Sequence, residues 1–325
     1  MNSTAATQLD KSKFCLIDVG SSGGLHQRWK RFAPHIGNCG FEPNEEEFNK
    51  LAPTDDCLWI NAGLAGASGK RELFLTRSYQ NSSLLRPNFE LINTLEWADH
   101  HEVISTCIVD CSTLDDALAG YDIRPDFLKI DTQGTELEIL RAGAKSLDSI
   151  VCVEIEVEFV ELYSGQSGFS DVDQFMRQQG FFLGDLSNIL HMKQRGRVHC
   201  GGPKGRLISA DALYFREHDR LPDGDSTREG FHHRISAQLI AYLAYGFVDL
   251  AVALAESDPI LASDYRMPEF LARIYRHEAT EKRLANMYPF AYVIARALKK
   301  LGRLLTPNHA ALWSPELGSP RWRGF

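Results

Sequence analysis

From Phe14 to about Phe215, short apolar runs alternate with amphipathic stretches, and that alternation leaves the chain few folds to adopt. The runs are FCLIDVG, NCGFEP, CLWINAG, PDFLKID, IVCVEIEVEF and LISADALYF, with helical patterns such as GTELEILRAGAKSL and DVDQFMRQQG between several of them. Strand–helix alternation of this kind predicts an α/β domain on a doubly wound, mostly parallel sheet. GKRELFLT reads as an extra strand, RSYQNSSLLRPN after it as a polar loop, and the stretch leading to His191 as another loop. A chain of 325 residues has room for one such domain and an appendage. The polar stretch 217–234 reads as a linker, which gives a main domain at 1–216 and a helical appendage at 235–325.

Composition narrows the function. Apolar residues make up 44%, enough for a core, and a net charge of −8 argues against nucleic acid as a partner. The seven cysteines are scattered without CxxC pairs, which predicts reduced thiols and no zinc site. Residues 1–14 hold no apolar stretch of signal-peptide length, so the expected location is cytoplasmic. Ile235–Ala255 is long enough to span a bilayer, but it carries Gln238, Gly246 and Asp249. A buried helix or helix pair is the better reading. Phe290–Leu305 is amphipathic with a basic face. It reads as a helix packed on the appendage core, the alternative being peripheral contact with an anionic membrane at its inner face. A homo-oligomer is compatible with the sequence.

The turn after the first run is Asp18-Val-Gly20-Ser-Ser22-Gly-Gly24, where glycines let backbone approach a ligand. The GxGxxG spacing of dinucleotide sites is absent. Asp18, two residues before Gly20, suits a ligand with an ammonium group and no phosphate, such as S-adenosylmethionine; a plain tight turn is the bland alternative. Glu42 ends the next run and could accept both ribose hydroxyls, a solvated loop acid being its alternative. Asp131 ends a buried strand, so it points into the same crevice, and Glu136 sits in the first turn of the helix that follows. In VCVEIEVEF three acids, Glu154, Glu156 and Glu158, share one face. They belong either to an edge strand or to an acidic cleft wall. Candidate bases are Asp131, Glu154, Glu156 and His191, and His26 could face the pocket. No spacing predicts a metal.

IDVGSSGGLHQRW, GFEPNEEEF, PDFLKIDTQGTELEILRAGA, VEIEVEFVELYSGQSGFSDVDQFMRQQGFFL and GRLISADALYFR together resemble the FkbM-type methyltransferase family, in order over residues 14–216. Many members carry an acid where Gln133 stands, so the DTQG string resembles one subset. The resemblance implies a class I, Rossmann-like methyltransferase fold, S-adenosyl-L-methionine as cofactor, and methylation of a hydroxyl on a sugar, glycan or similar metabolite. It places Asp18, Gly20, Ser22 and Gly24 at the methionine end, Glu42 at the ribose, Asn61 and Ala62 near the adenine, and Asp131 beside the transferring methyl. It also makes the loop Asn81–Asn88 a candidate for acceptor contact through Ser82, Ser83 and Arg86, with Gln133. The rival readings are a nicotinamide-dependent oxidoreductase, against which the failed GxGxxG counts, and an inactive scaffold of the same fold.

Overall fold

The computed structural model describes residues 9–10, 13–20, 28–51, 56–196, 205–218, 228–264 and 266–287. They fall into two compact units, the first running to Ala241 and the second starting at Tyr242. The described strands are β1 (Phe14–Val19), β2 (Ile36–Phe41), β3 (Cys57–Ile60), β4 (Gly63–Leu64), β5 (Gly69–Thr76), β6 (Val103–Ser112), β7 (Phe127–Ile130), β8 (Cys152–Glu158), β9 (Phe181–Met192) and β10 (Arg206–Arg216). The described helices are α1 (Glu45–Phe48), α2 (Phe89–Ile92), α3 (Leu114–Gly120), α4 (Glu136–Ala142), α5 (Ala144–Leu147), α6 (Phe169–Gln178), α7 (Arg228–Tyr245), α8 (Val248–Ser257), α9 (Pro259–Ser263) and α10 (Met267–Met287).

Seven strands form the main sheet in the order β3-β2-β1-β7-β8-β10-β9. Strands β3, β2, β1, β7 and β8 run parallel, and β10 is antiparallel to both β8 and β9. This is the doubly wound, mostly parallel architecture expected from the sequence. The chain leaves β1 toward β2 and returns at β7 to build the other half, so the strand order reverses between β1 and β7. A ligand crevice is expected beyond the carboxyl ends of that pair. A second sheet, β4-β6-β5, forms within the segment that follows β3. β6 and β9 were not apparent in the sequence. β9 is an edge strand with half-exposed polar residues, so its apolar signal is weak, and His191 lies in it rather than in a loop.

The main sheet has two unlike faces. Ile17, Cys39, Leu128, Ile130, Val153, Ile155, Ala212 and Tyr214 pack in one core with Leu114, Leu118, Leu137, Leu140, Val172 and Met176 of α3, α4 and α6. The alternate residues of the same strands include Asp18, Lys129, Glu154, Glu156 and Asp211. β8 lies between β7 and β10, so the edge-strand explanation of its three acids does not hold. Toward the start of the strands this second face is apolar: the Trp29 and Phe127 rings are 4.7 Å apart and Phe14 lies against His233 of α7.

α7 begins at Arg228, inside the stretch read as a linker, and buries Arg234, Ile235 and Gln238. The apolar run 235–255 is broken: α7 ends at Tyr245, Gly246 takes φ +83°, and α8 starts at Val248. Among the described residues no helix is long and apolar enough to cross a membrane. In the second unit α8, α9 and α10 bury Ala251, Leu254, Ala255, Leu261 and Ile274. The basic stretch 290–305 lies outside the described residues.

Arg216 closes the end of β10. Its guanidinium donates to the carbonyls of Ile150 (2.8 Å), Gln179 (3.0 Å) and Leu147, stacks 4.2 Å from the Phe181 ring, and is 4% exposed. Burial pulls its pKa down to about 10, still charged at neutral pH. Arg216→Leu strands three buried carbonyls, so urea unfolding should show a loss of about 3–5 kcal/mol. A loss below about 1 kcal/mol would contradict this account of the strand end.

Candidate functional site

Two close approaches fix the crevice. Gly20 leaves β1 with φ +81°, its N–H donating to the Phe41 carbonyl (3.2 Å), and Asp131 leaves β7 with its N–H on the Val19 carbonyl (3.1 Å). A Cβ at Gly20 would lie 2.0 Å from the Asp131 carbonyl oxygen, so only glycine fits there. The turn beyond Asp131 is then tied from below. The Glu136 carboxylate, 3% exposed, accepts from the Thr132 amide (2.8 Å), the Thr132 hydroxyl (2.9 Å) and the Gly134 amide (3.0 Å). Burial still raises its pKa, those bonds partly offsetting it. Glu136 is thus the residue that shapes this turn. Its bonds hold Gln133 at φ +59° and Gly134 at φ +112°, the first an unusual conformation for a residue with a side chain.

That conformation aims the Gln133 amide between two acids. Gln133 Nε2 donates to Asp131 Oδ1 (3.0 Å) and to Glu156, while Gln133 Oε1 accepts from the Tyr163 hydroxyl (2.7 Å). Ser83 Oγ donates to the Gln133 carbonyl (2.7 Å) and accepts from the Leu85 amide (2.9 Å), which docks the loop after β5 onto the turn. Where an acid would repel Asp131 and Glu156, the glutamine amide bridges them. Burial first, then Asp131 and Glu158, push the Glu156 carboxyl well above the usual carboxylate range.

At the other end of the cleft the Glu42 carboxylate, 1% exposed, accepts from the Asn44 amide (2.8 Å) and the Tyr79 hydroxyl (2.5 Å), both on Oε1. Burial raises its pKa, and the two donors partly offset this. The cleft is lined by Gly20, Glu42, Ala62, Tyr79, Ser82, Ser83, Asp131, Gln133 and neighbours. Its enclosed part is about 100 Å³, below the ~300–1,000 Å³ of ordinary ligand pockets. A cofactor would therefore lie along the open cleft rather than in a closed hole.

Other expected residues lie elsewhere. Asp18 does not line the cleft. Its β1 position registers with Lys129 of β7, so its Oδ1 sits 3.5 Å from Lys129 Nζ, 4% exposed. Lys129 also lies 4.0 Å from Asp131 Oδ2. Burial pulls the Lys129 pKa down, but Asp18, Asp131 and Glu154 outweigh it and the net shift is upward. Glu154 is held by Arg28 Nη1 at 2.6 Å and is 7% exposed, which removes it from the candidate bases. Asn61 turns its amide to the Glu42 carbonyl (2.9 Å) and Arg86 is exposed, so neither lines the cleft. His191, in β9, does not line it either. Ser22, Gly24 and His26 lie outside the described residues. The sequence reading missed Tyr79, Tyr163 and Lys129. For Lys129 a signal existed, a charge inside the apolar run PDFLKID.

A doubly wound sheet with a reversal-point cleft and a buried acid at the end of β2 is a layout that enzymes using nucleoside-containing cofactors share. The family model described as "Methyltransferase FkbM domain" matches residues 19–183, just over half of the chain, and the chain belongs to that family. The protein is therefore a methyltransferase, and its family uses S-adenosylmethionine generally. Among solved structures, a Streptococcus pneumoniae protein described as a "putative tRNA (m1A22) methyltransferase" is 10% identical, with 77% of this chain and 93% of that chain covered, at TM-score 0.32. At that level the likeness adds nothing to the fold already described. No curated protein matches.

Lys129 and Asp18 supply a test. Lys129→Met leaves the buried Asp18 carboxylate without its cation and should cost about 3–5 kcal/mol in urea unfolding at pH 7. Adding Asp18→Asn should recover a large part of that loss. Strict additivity of the two substitutions would show that the pair does not interact.

Proposed function

We propose that the protein is an S-adenosylmethionine-dependent O-methyltransferase acting on a hydroxyl of a sugar, glycan or similar polyhydroxylated metabolite. The observation that carries this reading is the Asp131–Gln133–Glu156 constellation at one end of a cleft whose other end presents buried Glu42. The residues fit such a cofactor: Gly20 leaves no side chain in the cleft, and the Asn44 and Tyr79 bonds to Glu42 both fall on one carboxylate oxygen, leaving the other for a ribose hydroxyl. Asp18 enters this proposal as the partner of Lys129, not as a cleft residue.

When bound, the cofactor supplies an electrophilic methyl group. The chain's own task is alignment and proton removal. An alcohol is a weak nucleophile at neutral pH, and a positioned carboxylate can take its proton as the new O–C bond forms. Asp131 is that carboxylate: it lines the cleft and is held by the Gln133 amide. Burial pushes the pKa of the neighbouring Glu156 upward, and the Gln133 amide links its carboxyl to that of Asp131. Ser82 and Ser83 on the cleft wall are the acceptor-side contacts.

Calorimetric titration with S-adenosylhomocysteine should show binding, NADH should show none, and Glu42→Gln should weaken the first about tenfold. Asp131→Asn should lower methyl transfer to a cell-surface glycan extract by about 10²–10⁴. Unchanged affinity in Glu42→Gln, or NADH binding instead, would contradict the proposal.

A further inference from the structure

The turn that carries Gln133 into the cleft packs its Gly134 against a second cavity wall: a Cβ there would meet the Gln166 Cβ at 3.2 Å. Gln166 lines a cavity of about 330 Å³ between the end of β8 and the start of α6, together with Glu158, Phe159 and Phe169. One polar atom in this wall lacks a partner, and a buried carboxyl lies near it. Gln166 Oε1 accepts from the Tyr163 amide (2.5 Å), which fixes the amide's orientation, and its Nε2 is buried with nothing to donate to. Glu158 is 2% exposed, and apart from its own backbone amide no group among the described residues bonds its carboxyl. An unsatisfied buried donor is costly, so Gln166 Nε2 points to something the cavity takes up. Phe159 and Phe169, with centroids 5.2 Å apart, give the same cavity an apolar wall.

We propose that this cavity is the acceptor's recognition subsite, where a hydroxyl of a sugar-like ring is held between Glu158 and Gln166 while the ring's C–H face lies on the phenylalanines. This rests on the O-methyltransferase reading and names the acceptor's place in it. A hydroxyl is the group that serves both partners, since its oxygen accepts from Nε2 and its O–H donates to the carboxyl. An ammonium group would suit a carboxylate but offers Nε2 no acceptor. A phosphate would meet Glu158 and Glu161 in the same wall. A lone water satisfies the same two atoms, yet the volume is about ten times the ~30 Å³ a water occupies. Burial first, then Glu136 and Asp131, push the Glu158 carboxyl well above its usual range, which favours a neutral, hydroxylated occupant. The cavity adjoins the turn that bears Gln133 through the approach of Gly134 to Gln166.

Saturation-transfer NMR on the full chain, with methyl α-glycosides of glucose, mannose and rhamnose at millimolar concentration, tests this. Wild type should transfer saturation to at least one glycoside. Gln166→Glu keeps the oxygen that accepts from Tyr163 and removes the Nε2 donor, so it should weaken that glycoside about tenfold. Its affinity for S-adenosylhomocysteine should stay within about twofold of wild type. Phe169→Leu is the second variant and should weaken the glycoside in the same way. No saturation of any glycoside, or equal saturation in both variants, would overturn the subsite. Failure of the wild type to bind S-adenosylhomocysteine would instead strike the cofactor reading, with the glycoside result still judging the cavity.

Discussion

Lys129 makes the polar face of the sheet possible. Parallel strands in the middle of a doubly wound sheet are ordinarily apolar on both sides. Here β1, β7, β8 and β10 turn Asp18, Glu154, Glu156 and Asp211 onto one face, with Asp131 just beyond β7. The cations seen to engage these acids are Lys129, beside Asp18 and Asp131, and Arg28, on Glu154. Carboxylates outnumber them, and charge repulsion in a buried layer is settled by retaining protons. The directions agree with this: burial raises Asp18, Glu156 and Glu158, and it raises Asp211 to about 7.

Around the end of β7, Lys129 stands behind Asp131, and the Gln133 amide bridges Asp131 and Glu156, whose carboxyl is pushed well above the usual range by burial. Glu136 supports the arrangement by holding the turn in its strained form, and Ser83 and Tyr163 pin Gln133 from the other side. One short turn thus separates the cleft from the cavity behind Gly134.

Much of the layout was legible in the sequence because strand ends carry their own signals. Asp131 and Glu42 follow apolar runs directly, and a residue just beyond a parallel strand at the reversal point faces the crevice. Asp18 misled because it lies inside β1, two residues earlier, where cross-strand register decides its partner. Register with Lys129 pairs residues far apart in the chain and leaves no local trace. Arg86 and Asn61 failed for a related reason: a loop's sequence does not say which side chains turn inward. The stretch 217–234 looked like a linker because it is rich in charge, yet Arg234 and Gln238 are buried polar residues of α7, and Gln238 donates to the Arg216 carbonyl (2.7 Å). Gly246 did mark the break between α7 and α8, as glycine in a helical run often does.

The claim that surplus carboxyls on this face retain protons has a thermodynamic sign. An acid whose folded pKa is raised stabilises the fold below its unfolded pKa, and that contribution is lost as pH rises through the folded value. For Asp211 the window runs from its ordinary value up to about 7. Carbon-13 NMR titration of the side-chain carboxyl carbons counts these protons directly. The account predicts that at pH 6 Glu156, Glu158 and Asp211 remain protonated, with Asp211 titrating near 7. Titration of all three in the ordinary carboxylate range, near ~4, would contradict it.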